Sequence, residues 1–424
     1  MEVPILLIFG VLFALILIGV PVGFALGATV VVAIIIGDMS TTFLIQKLVT
    51  SLDSFPLLAV PFFIMAGEIM QKGSMATRLL SLSQCLVGHL RGGLAQVSIL
   101  TSLFFGALSG SSPATVAAVG GIMIPSMQRE GYSSGYATAV STSAGCLGVM
   151  IPPSVPLIIY GTTAGVSVGD LFIATIIPGI IVGLALMLTA YILARRGGHG
   201  PAGARAGKKQ TLAALWASGH ALMVPLIVLG GIYGGIMTPT EAGVSAVGYA
   251  LLAEVLFLRS LSWIKLWDVM RSTALTTASI FLVVATATAF GQILLFNDVP
   301  NQIVAYMTGL SESPYVILFL IILILLVLGT FMDALANILI LAPLFVPVVS
   351  ELGMDPVHFG VVMLIGVASG FLTPPVGINL FVGCGIGNIS IERLSYAVLP
   401  FLLAIIAALL VIAMVPALSL FLIP

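Results

Sequence analysis

The chain reads Gly148-Val-Met-Ile-Pro-Pro-Ser154 and, 222 residues later, Gly370-Phe-Leu-Thr-Pro-Pro-Val376, so a pair of consecutive prolines recurs inside an apolar stretch. At the same offset, eight of the twelve Gly and Pro residues between positions 124 and 178 meet an identical residue. Coincidence at this composition would give about one or two matches. The chain is therefore predicted to consist of two related halves, each with a proline-broken helix.

The composition places both halves in a membrane. Hydrophobic residues make up 60% of the 424 and charged residues 7%, whereas a soluble domain carries about 25% charged residues. Apolar stretches of about 20 residues, the length that crosses a bilayer, recur along the chain. Segments such as 317–328 are apolar on every side, which indicates spanning helices and not the alternating strands of a barrel. The first apolar stretch, 4–20, is interpreted as a retained helix because no Lys or Arg precedes it.

Residue types that carry catalysis or bind metals are scattered along the sequence. The three cysteines, Cys85, Cys146 and Cys384, have no Cys-x-x-Cys spacing, and the four histidines form no metal pattern. No nucleophile elbow, phosphate loop or zinc motif occurs. The net charge of −1 gives no reason to expect nucleic acid as a partner. The sequence argues against an enzyme and against a nucleic-acid-binding protein.

The basic residues predict the orientation in the membrane. Five of the fourteen lie in one Gly-rich stretch, 195–209, that contains no acid, so the positive-inside rule assigns this stretch to the cytoplasm. Counting crossings outward from it puts thirteen of the fourteen basic residues inside, with Lys47 as the exception. Both termini are then predicted outside, in the periplasm if the membrane is a bacterial inner membrane. The predicted crossings are 4–20, 22–37, 55–70, 135–166, 170–194, 214–237, 240–257, 273–295, 357–388 and 394–422.

The predicted fold class is an all-α polytopic membrane protein with an inverted repeat. Each half has five crossings, an odd number, so the two copies lie upside down relative to each other, as in secondary transporters. Two further apolar pairs must return to the side they started from, and each is predicted to be a re-entrant hairpin. The first repeat, 1–194, is divided into scaffold helices at 1–70, an interfacial arm at 73–90, a hairpin at 92–128, a broken helix at 135–166 and a helix at 170–194. After a basic linker at 195–213, the second repeat, 214–424, is divided into scaffold helices at 214–295, an arm at 300–311, a hairpin at 314–350, a broken helix at 357–388 and a helix at 394–422.

Ligand sites in inverted-repeat transporters lie near the bilayer midplane, where helices break. Four segments qualify here, namely the hairpin tips at 109–115 and 329–337 and the proline breaks at 148–154 and 370–376. A proline frees a carbonyl that a helix would otherwise bond, and free carbonyls together with Ser or Thr hydroxyls suit a small hard cation such as sodium. The alternative is that the prolines only kink the helices while the hydroxyls bond back onto the chain.

Basic residues are missing from the regions where a substrate is expected. No Lys or Arg occurs between Gly92 and Gln128 or between Ser313 and Glu392. The charge of an anionic substrate would have to be met by helix N-termini and co-bound cations, which favours cation-coupled uptake. Asp333, the only acid in the four segments, is interpreted as a cation or substrate ligand or as the cap of the following helix. The predicted substrate-binding residues are Ser112, Thr115, Ser154, Asp333, Asn337 and Asn379.

Five longer motifs resemble the large membrane subunit of the tripartite ATP-independent periplasmic (TRAP) transporters, the family of DctM and SiaM. The resemblance spans nearly the whole chain, and the motifs keep their order. They are Pro61-Phe-Phe-Ile-Met-Ala-Gly-Glu68, Gly106-Ala-Leu-Ser-Gly-Ser-Ser-Pro-Ala-Thr-Val-Ala-Ala-Val-Gly120, Gly145-Cys-Leu-Gly-Val-Met-Ile-Pro-Pro-Ser154, Met237-Thr-Pro-Thr-Glu-Ala-Gly243 and Gly370-Phe-Leu-Thr-Pro-Pro-Val-Gly-Ile-Asn379.

The resemblance implies an elevator-type permease, in which a mobile transport domain with two hairpins carries substrate past a fixed scaffold domain. It implies Na⁺ as the coupling ion and no organic cofactor. It also implies two protein partners, a separate small four-helix membrane subunit and a periplasmic substrate-binding protein. One sodium site would use Ser109, Ser111, Gly148, Ile151 and Pro153, and the other Gly329, Gly370, Thr373 and Val376, largely through backbone oxygens.

The sequence leaves the substrate and three rival classes of protein open. An importer of this family would carry an organic acid anion, with C4-dicarboxylates as the first expectation and sialic acid or a keto acid as alternatives. The rivals are a stand-alone sodium-coupled carboxylate carrier or cation/proton antiporter of related fold, an intramembrane enzyme, and a channel. An antiporter usually needs a buried acid pair, an enzyme needs a nucleophile or metal constellation, and a channel would leave the paired hairpins unexplained.

Overall fold

The computed structural model describes residues 5–37, 40–200, 203–311 and 313–423, and the helices and contacts given below are those of these residues. Predicted features at positions 1–4, 38–39, 201–202, 312 and 424, among them both termini, lie outside this range. The described part of the chain is helical and contains no strand. This confirms the predicted all-α fold class.

The first half of the chain forms thirteen α-helices. A turn of 3-10 helix, Phe55–Leu58, leads into the fourth, and a π-helical turn, Val116–Gly120, joins the seventh to the eighth. The thirteen are α1 (Ile5–Leu17), α2 (Val22–Gly37), α3 (Thr41–Thr50), α4 (Ala59–Lys72), α5 (Met75–Val87), α6 (Gly93–Ser109), α7 (Ser112–Thr115), α8 (Gly121–Arg129), α9 (Ser134–Ala144), α10 (Leu147–Met150), α11 (Val155–Ala164), α12 (Val168–Ala174) and α13 (Ile176–Arg196).

The second half forms eleven α-helices, and a π-helical turn, Ala253–Phe257, extends the third of them. Helical structure begins inside the predicted linker, at Lys208, and bends by 61° before the next helix. The eleven are α14 (Lys208–Ala217), α15 (Gly219–Tyr233), α16 (Pro239–Leu252), α17 (Trp263–Phe296), α18 (Val299–Leu310), α19 (Pro314–Gly329), α20 (Ala334–Glu351), α21 (Pro356–Gly370), α22 (Ile378–Gly387), α23 (Ile391–Met414) and α24 (Ala417–Leu420).

Polar caps followed by proline start several of these helices. α16 begins with a capping box, in which the Thr238 hydroxyl accepts from the N–H of Glu241 and the Glu241 carboxylate accepts from the N–H of Thr238 at 2.7 Å. Asp355 starts α21 in a related way, since its carboxylate accepts from the N–H of Val357 at 2.7 Å. A proline at the first helical position lacks the N–H that would need a partner there. These signals set where the chain enters an apolar helix.

The helices pack into two bundles, and each bundle contains helices from both halves. α4 packs against α16 and α17, and α17 packs against α2; with α1 and α15 these helices form what we call the outer bundle. α9 packs against α22 and α23, α13 against α23, and α21 against α19; with α6–α8, α10–α12 and α20 they form what we call the core bundle. α9 and α21 are buried along nearly their whole length. The core bundle therefore holds the interior of the protein.

Two short helices connect the bundles. α5 leads from α4 to α6, and α18 leads from α17 to α19. They coincide with the predicted arms. The repeat of the two halves, with its arms and hairpins, and the inversion of one half relative to the other stay predictions.

The first residues of the linker are attached to the core bundle. The carbonyl of Gly200 accepts hydrogen bonds from the N–H groups of Gly92 at 3.1 Å and Gly93 at 3.4 Å, where α6 begins. The ring of His199 stacks on Tyr132 with centroids 4.2 Å apart. The first residues of the predicted linker are therefore bound to the core bundle.

Large apolar side chains cover the outside of the protein. Six described helices are long and apolar enough to cross a bilayer, or eight if each of two bent pairs is one span. An apolar surface of this extent is stable in lipid and not in water. The structure is therefore that of a protein that crosses the membrane several times. Side chains exposed on this surface include Leu17, Leu184, Leu226, Leu275 and Tyr396.

Candidate functional site

The first proline break lies between α10 and α11. Pro152 and Pro153 lack an N–H, so the carbonyls of Gly148 and Val149 lose the donors that a continuous helix would supply. Ser154 is buried, and its hydroxyl has no hydrogen-bond partner among the described residues. In this break, as in the second, the bond between the two prolines is cis. The first break therefore contains three oxygen atoms that can still accept a hydrogen bond or bind a cation.

The second break, between α21 and α22, bonds more fully to itself. The carbonyl of Gly370 accepts from the N–H of Thr373 at 3.0 Å, and the carbonyl of Phe371 accepts from the N–H of Asn379 at 3.2 Å. The Thr373 hydroxyl donates to the carbonyl of Ser369 at 3.1 Å, which is the back-bonding that the alternative interpretation of these hydroxyls expects. A carbonyl has two lone pairs, so each of these oxygens can take a second ligand.

The tip of the first hairpin folds onto the first break. Gly110, with φ of 57°, turns the chain at the end of α6 and packs on the carbonyl of Pro153. Gly148 lies so close to the carbonyl of Ser111 that a methyl group would not fit between them. Four residues of the first predicted sodium site, Ser109, Ser111, Gly148 and Pro153, are therefore neighbours in the structure.

Hydroxyl groups at this tip bond to one another. The hydroxyls of Ser109 and Thr115 are 2.8 Å apart, and Thr115 also bonds to the carbonyl of Ser111 at 2.8 Å. Ile151, the fifth residue of the first predicted sodium site, packs its side chain against Gly179 of α13. An isoleucine side chain contains no oxygen, so the backbone oxygen of Ile151 is the candidate ligand.

The tip of the second hairpin meets the second break at two glycines. Gly329 and Gly370 pack backbone to backbone, and a Cβ on Gly370 would overlap the carbonyl group of Gly329. Thr373 follows in the same break, and Val376 is half-buried one turn further along. Gly329 and Gly370 of the second predicted sodium site are thus in contact, and Thr373 and Val376 follow Gly370 in the same break.

Asp333 stands on the second tip, where α20 begins. Its Oδ1 accepts from the N–H of Ala336 at 2.8 Å, which is a helix N-cap. Asn337 is buried, and its Nδ2 donates to the carbonyls of Met332 at 3.1 Å and Asp333 at 3.0 Å. The cap expected from the sequence is present, and the same carboxylate faces the cavity between the bundles.

Asn379 ties the second break to the first hairpin. It is fully buried, and its Nδ2 donates to the hydroxyl of Ser112 at 2.7 Å. Longer contacts reach the carbonyl of Thr142 at 3.4 Å and the Sγ of Cys146 at 3.6 Å, both at the α9 end of the first broken helix. The side chain therefore connects three segments of the core bundle.

A cavity of about 310 Å³ lies between the two bundles. Both hairpin tips line it from the core bundle, and α4 and α17 line it from the outer bundle. Two acids face it, Glu68 and Asp333, and the described lining contains no Lys or Arg. The side chains that form its polar and outer-bundle walls are Ser109, Ser111, Ser112, Asp333, Ile64, Glu68, Gln71, Thr276 and Ile280.

The predicted substrate-binding residues divide into two groups. Ser112 and Asp333 line the cavity. The other four are fully buried behind the lining and shape it through the tip and break contacts; they are Thr115, Ser154, Asn337 and Asn379.

The outer-bundle wall of the cavity was missed by the sequence prediction. Glu68 there accepts from the hydroxyl of Ser272 at 2.8 Å and pairs with Lys72 at 3.5 Å. The available signal was a single acid at the end of an otherwise apolar motif, 61–68. That motif lies within the predicted scaffold helices at 1–70, and none of its residues is among the predicted site residues.

Known proteins are similar to this chain over nearly its whole length. The model of the family described as "Tripartite ATP-independent periplasmic transporter, DctM component" matches residues 9–418. The chain belongs to this family. The resemblance inferred from the five motifs is therefore confirmed, and the chain is a multi-pass permease of a family of transporters and not of enzymes.

Three relatives show how closely the permease resembles named family members. It is 44% identical over 422 residues to the isethionate TRAP transporter permease protein DctMQ of Oleidesulfovibrio alaskensis, a match of 99% of this chain and 66% of that relative. It is 39% identical to the C4-dicarboxylate TRAP transporter large permease protein DctM of Pseudomonas aeruginosa, over 88% of this chain and 87% of the relative. It is 37% identical to the sialic acid TRAP transporter large permease protein SiaM of Vibrio cholerae, over 97% of this chain and 96% of the relative.

A solved structure shares the fold of the permease. The YdaH transporter of Alcanivorax borkumensis superposes with a TM-score of 0.63 at 18% identity, over 88% of this chain and 87% of that one. At 18% identity this match supports a shared fold and carries no conclusion about function.

Proposed function

We propose that the chain is the large permease subunit of a sodium-coupled transporter that imports an organic acid anion. A periplasmic substrate-binding protein would deliver the anion, and a small membrane subunit would complete the complex. The named relatives carry isethionate, C4-dicarboxylates and sialic acid, and all of these are acid anions. C4-dicarboxylates remain the first candidates, and isethionate joins them because its transporter is 44% identical to this chain.

The cavity between the bundles is the observation that carries the proposal. Its described lining holds two acids and no base. A small anion that enters it alone would meet the carboxylate of Asp333 and that of Glu68, which the partly exposed Lys72 offsets only in part, and this is unfavourable. Cations bound together with the anion would remove this penalty, so the lining favours a symporter.

Sodium fits the donor set at the first tip and break. The candidate ligands are Ser109, Ser111, Gly148, Ile151 and Pro153, and all of them offer oxygen. Prolines leave the carbonyl of Gly148 without its helical donor, and hard cations prefer uncharged or carboxylate oxygens as ligands. At the second break, Gly329, Gly370, Thr373 and Val376 offer carbonyl oxygens, and that of Gly370 keeps a lone pair after it accepts from Thr373.

An elevator motion agrees with the position of the cavity. Both tips belong to the core bundle, whereas Glu68 and Gln71 lie near the end of α4 that is predicted to be cytoplasmic. A second cavity of about 250 Å³ lies between the same bundles near Ser54 and Gln292, towards the predicted outer side. In this motion the core bundle carries the tips past α4 and α17, from the first cavity towards the second. In this arrangement the described structure is the inward-facing one.

The proposal is tested in proteoliposomes that contain the chain and its small subunit. We expect uptake of a labelled C4-dicarboxylate or of isethionate only when an inward sodium gradient and the cognate binding protein are both present. Uptake that is independent of sodium would refute the symport. Uptake that needs sodium but no binding protein would instead identify a stand-alone carrier.

A further inference from the structure

Glu254 is a fully buried acid that takes no part in the cavity. It lies in the π-helical turn at the end of α16, on the predicted cytoplasmic side of the outer bundle. A buried carboxylate is costly unless donors surround it. Its donors come mainly from the junction between α4 and α5, about 180 residues earlier in the chain.

The carboxylate of Glu254 caps the first arm. Its Oε1 accepts from the N–H groups of Ser74 and Met75, each at 2.9 Å. Its Oε2 accepts from the hydroxyl of Ser74 at 3.3 Å and from the hydroxyl of Ser260. The N–H groups at the start of a helix have no partner in their own helix, and a negative charge there is favourable. Glu254 therefore supplies the hydrogen-bond acceptor that the first N–H groups of α5 lack within their own helix.

The other side of the junction is held by a cation. The Nζ of Lys265, at the start of α17, donates to the carbonyl of Lys72 at 3.3 Å, where α4 ends, and to the carbonyl of Ser260 at 3.3 Å. A positive charge is favourable at a helix C-terminus. Between the two helices lies Gly73, and the Glu254 carboxylate sits where a Cβ of residue 73 would be. Both helix ends at this junction are thus bound by side chains of the second half.

Side chains at the junction of the second arm form hydrogen bonds with residues nearby in the chain. The Nδ2 of Asn301 donates to the carboxylate of Asp298 at 2.6 Å, and the Nε2 of Gln302 donates to the carbonyl of Asn297 at 3.1 Å. These bonds span five residues or fewer.

We propose that Glu254 is a positioning residue that fixes the first arm to the outer bundle, so that α4 and α5 move as one body. Displacement of the core bundle would then be absorbed beyond α5, at residues 88–92. This segment is bounded by Gly88 and by Gly92, which has φ of 65°. Beyond it, the start of α6 is bonded to Gly200. The consequence for transport rests on the proposed function, whereas the attachment of α5 does not.

The test measures hydrogen exchange and transport on the reconstituted complex with Glu254→Ala, Glu254→Gln and Gly73→Ala. We expect Glu254→Ala and Gly73→Ala to raise amide exchange in the first turn of α5 by about tenfold, since buried donors lose their acceptor. Both should lower the maximal uptake rate and leave the half-saturating concentrations of sodium and substrate unchanged. Glu254→Gln should stay near the wild type, because an amide oxygen still accepts from both N–H groups and serine hydroxyls can accept from its NH₂. Asp268→Ala removes an exposed acid of α17 and serves as the matched control.

Two results overturn the proposal. Wild-type exchange at Ser74 and Met75 in Glu254→Ala would show that the carboxylate does not hold the arm. Faster exchange with an unchanged maximal rate would show that the attachment has no role in transport. If the wild-type complex does not transport at all, the proposed function fails, and exchange alone then decides whether Glu254 holds the arm.

Discussion

The side-chain amide of Asn379 donates a 2.7 Å hydrogen bond to the hydroxyl of Ser112, although 267 residues separate them in the chain. The bond joins α22, which follows the second proline break, to the first hairpin tip. The bond therefore connects the second broken helix directly to the first hairpin tip.

Replacing Asn379 with leucine removes this connection. Because the Ser112 hydroxyl is buried and would lose its partner, we expect Asn379→Leu to cost about 1–3 kcal/mol. The melting temperature of the purified protein, followed by intrinsic fluorescence, should fall. Gln210→Leu, an exposed change on α14, is the control and should melt like the wild type. Equal melting of the two variants would contradict the structural role of Asn379.

Gly370→Ala adds a methyl group where Gly370 already packs on the backbone of Gly329. Overpacking of this kind costs about 1–3 kcal/mol, and the second tip must move away from the second break. We expect lower thermal stability and a loss of sodium-driven uptake. Gly385→Ala is the matched change, since nothing lies within 4 Å of a Cβ there, and it should be silent. A fully active Gly370→Ala protein would show that the contact is not needed.

Asp333→Asn separates the two roles of this residue. Asparagine is as good an N-cap as aspartate, so α20 should keep its start and the melting temperature should not change. If the carboxylate also serves a cation or the substrate in the cavity, uptake should fall and more sodium should be needed for half-maximal rate. Normal uptake by Asp333→Asn would leave capping as its role, and Asp333→Ala would then show the stability cost of losing the cap.

Ser111→Leu and Thr373→Leu place a bulky apolar side chain in the two candidate sodium sites. We expect both to weaken the sodium activation of uptake, measured as initial rate against sodium concentration. Ser279→Leu changes an exposed hydroxyl of α17 to the same residue and should leave the activation curve unchanged. Sodium activation that is unaffected by Ser111→Leu or Thr373→Leu would remove that residue from its site.

Glu68→Gln tests the electrostatics of the cavity. The change removes one of the two lining acids and releases Lys72 from its pair, while a glutamine can still accept from Ser272. We expect the half-saturating concentration of an anionic substrate to fall about two- to fivefold, in keeping with the small energies of partly exposed pairs. Glu241→Gln, at the far end of the outer bundle, is the control. An increase in the half-saturating concentration would mean that Glu68 attracts and does not repel the substrate complex.

Local features of this fold could be predicted because each depends on nearby residues. Apolar periodicity and paired prolines located the broken helices, and an Asp before Ala-Leu-Ala predicted the cap of α20. The crossing predicted at 273–295 lies within the longer helix α17, which begins at Trp263. Its first turns carry Lys265, Asp268 and Arg271, and charged residues resemble a loop when hydropathy is the guide.

Contacts between distant segments could not be predicted in the same way. Glu68 and Glu254 each take partners from the other half of the chain, and no spacing within their own helices predicts these distant partners. The same holds for Asn379, which was assigned to the substrate but bonds to Ser112 behind the cavity lining. The packing of the two bundles decides which residues are buried and which distant residues they contact. The hydropathy of a segment does not show which distant segment it will pack against.

The attachment of Gly200 and His199 to the base of α6 has a practical consequence for labelling the protein. An affinity tag or fluorescent reporter inserted next to these residues would displace the carbonyl from Gly92 and Gly93 and open the ring stack with Tyr132. The exposed positions Ala204 and Arg205 offer a site a few residues further along. A reporter inserted there would sit in the cytoplasm, if the predicted orientation holds, without disturbing the helix that carries the first tip.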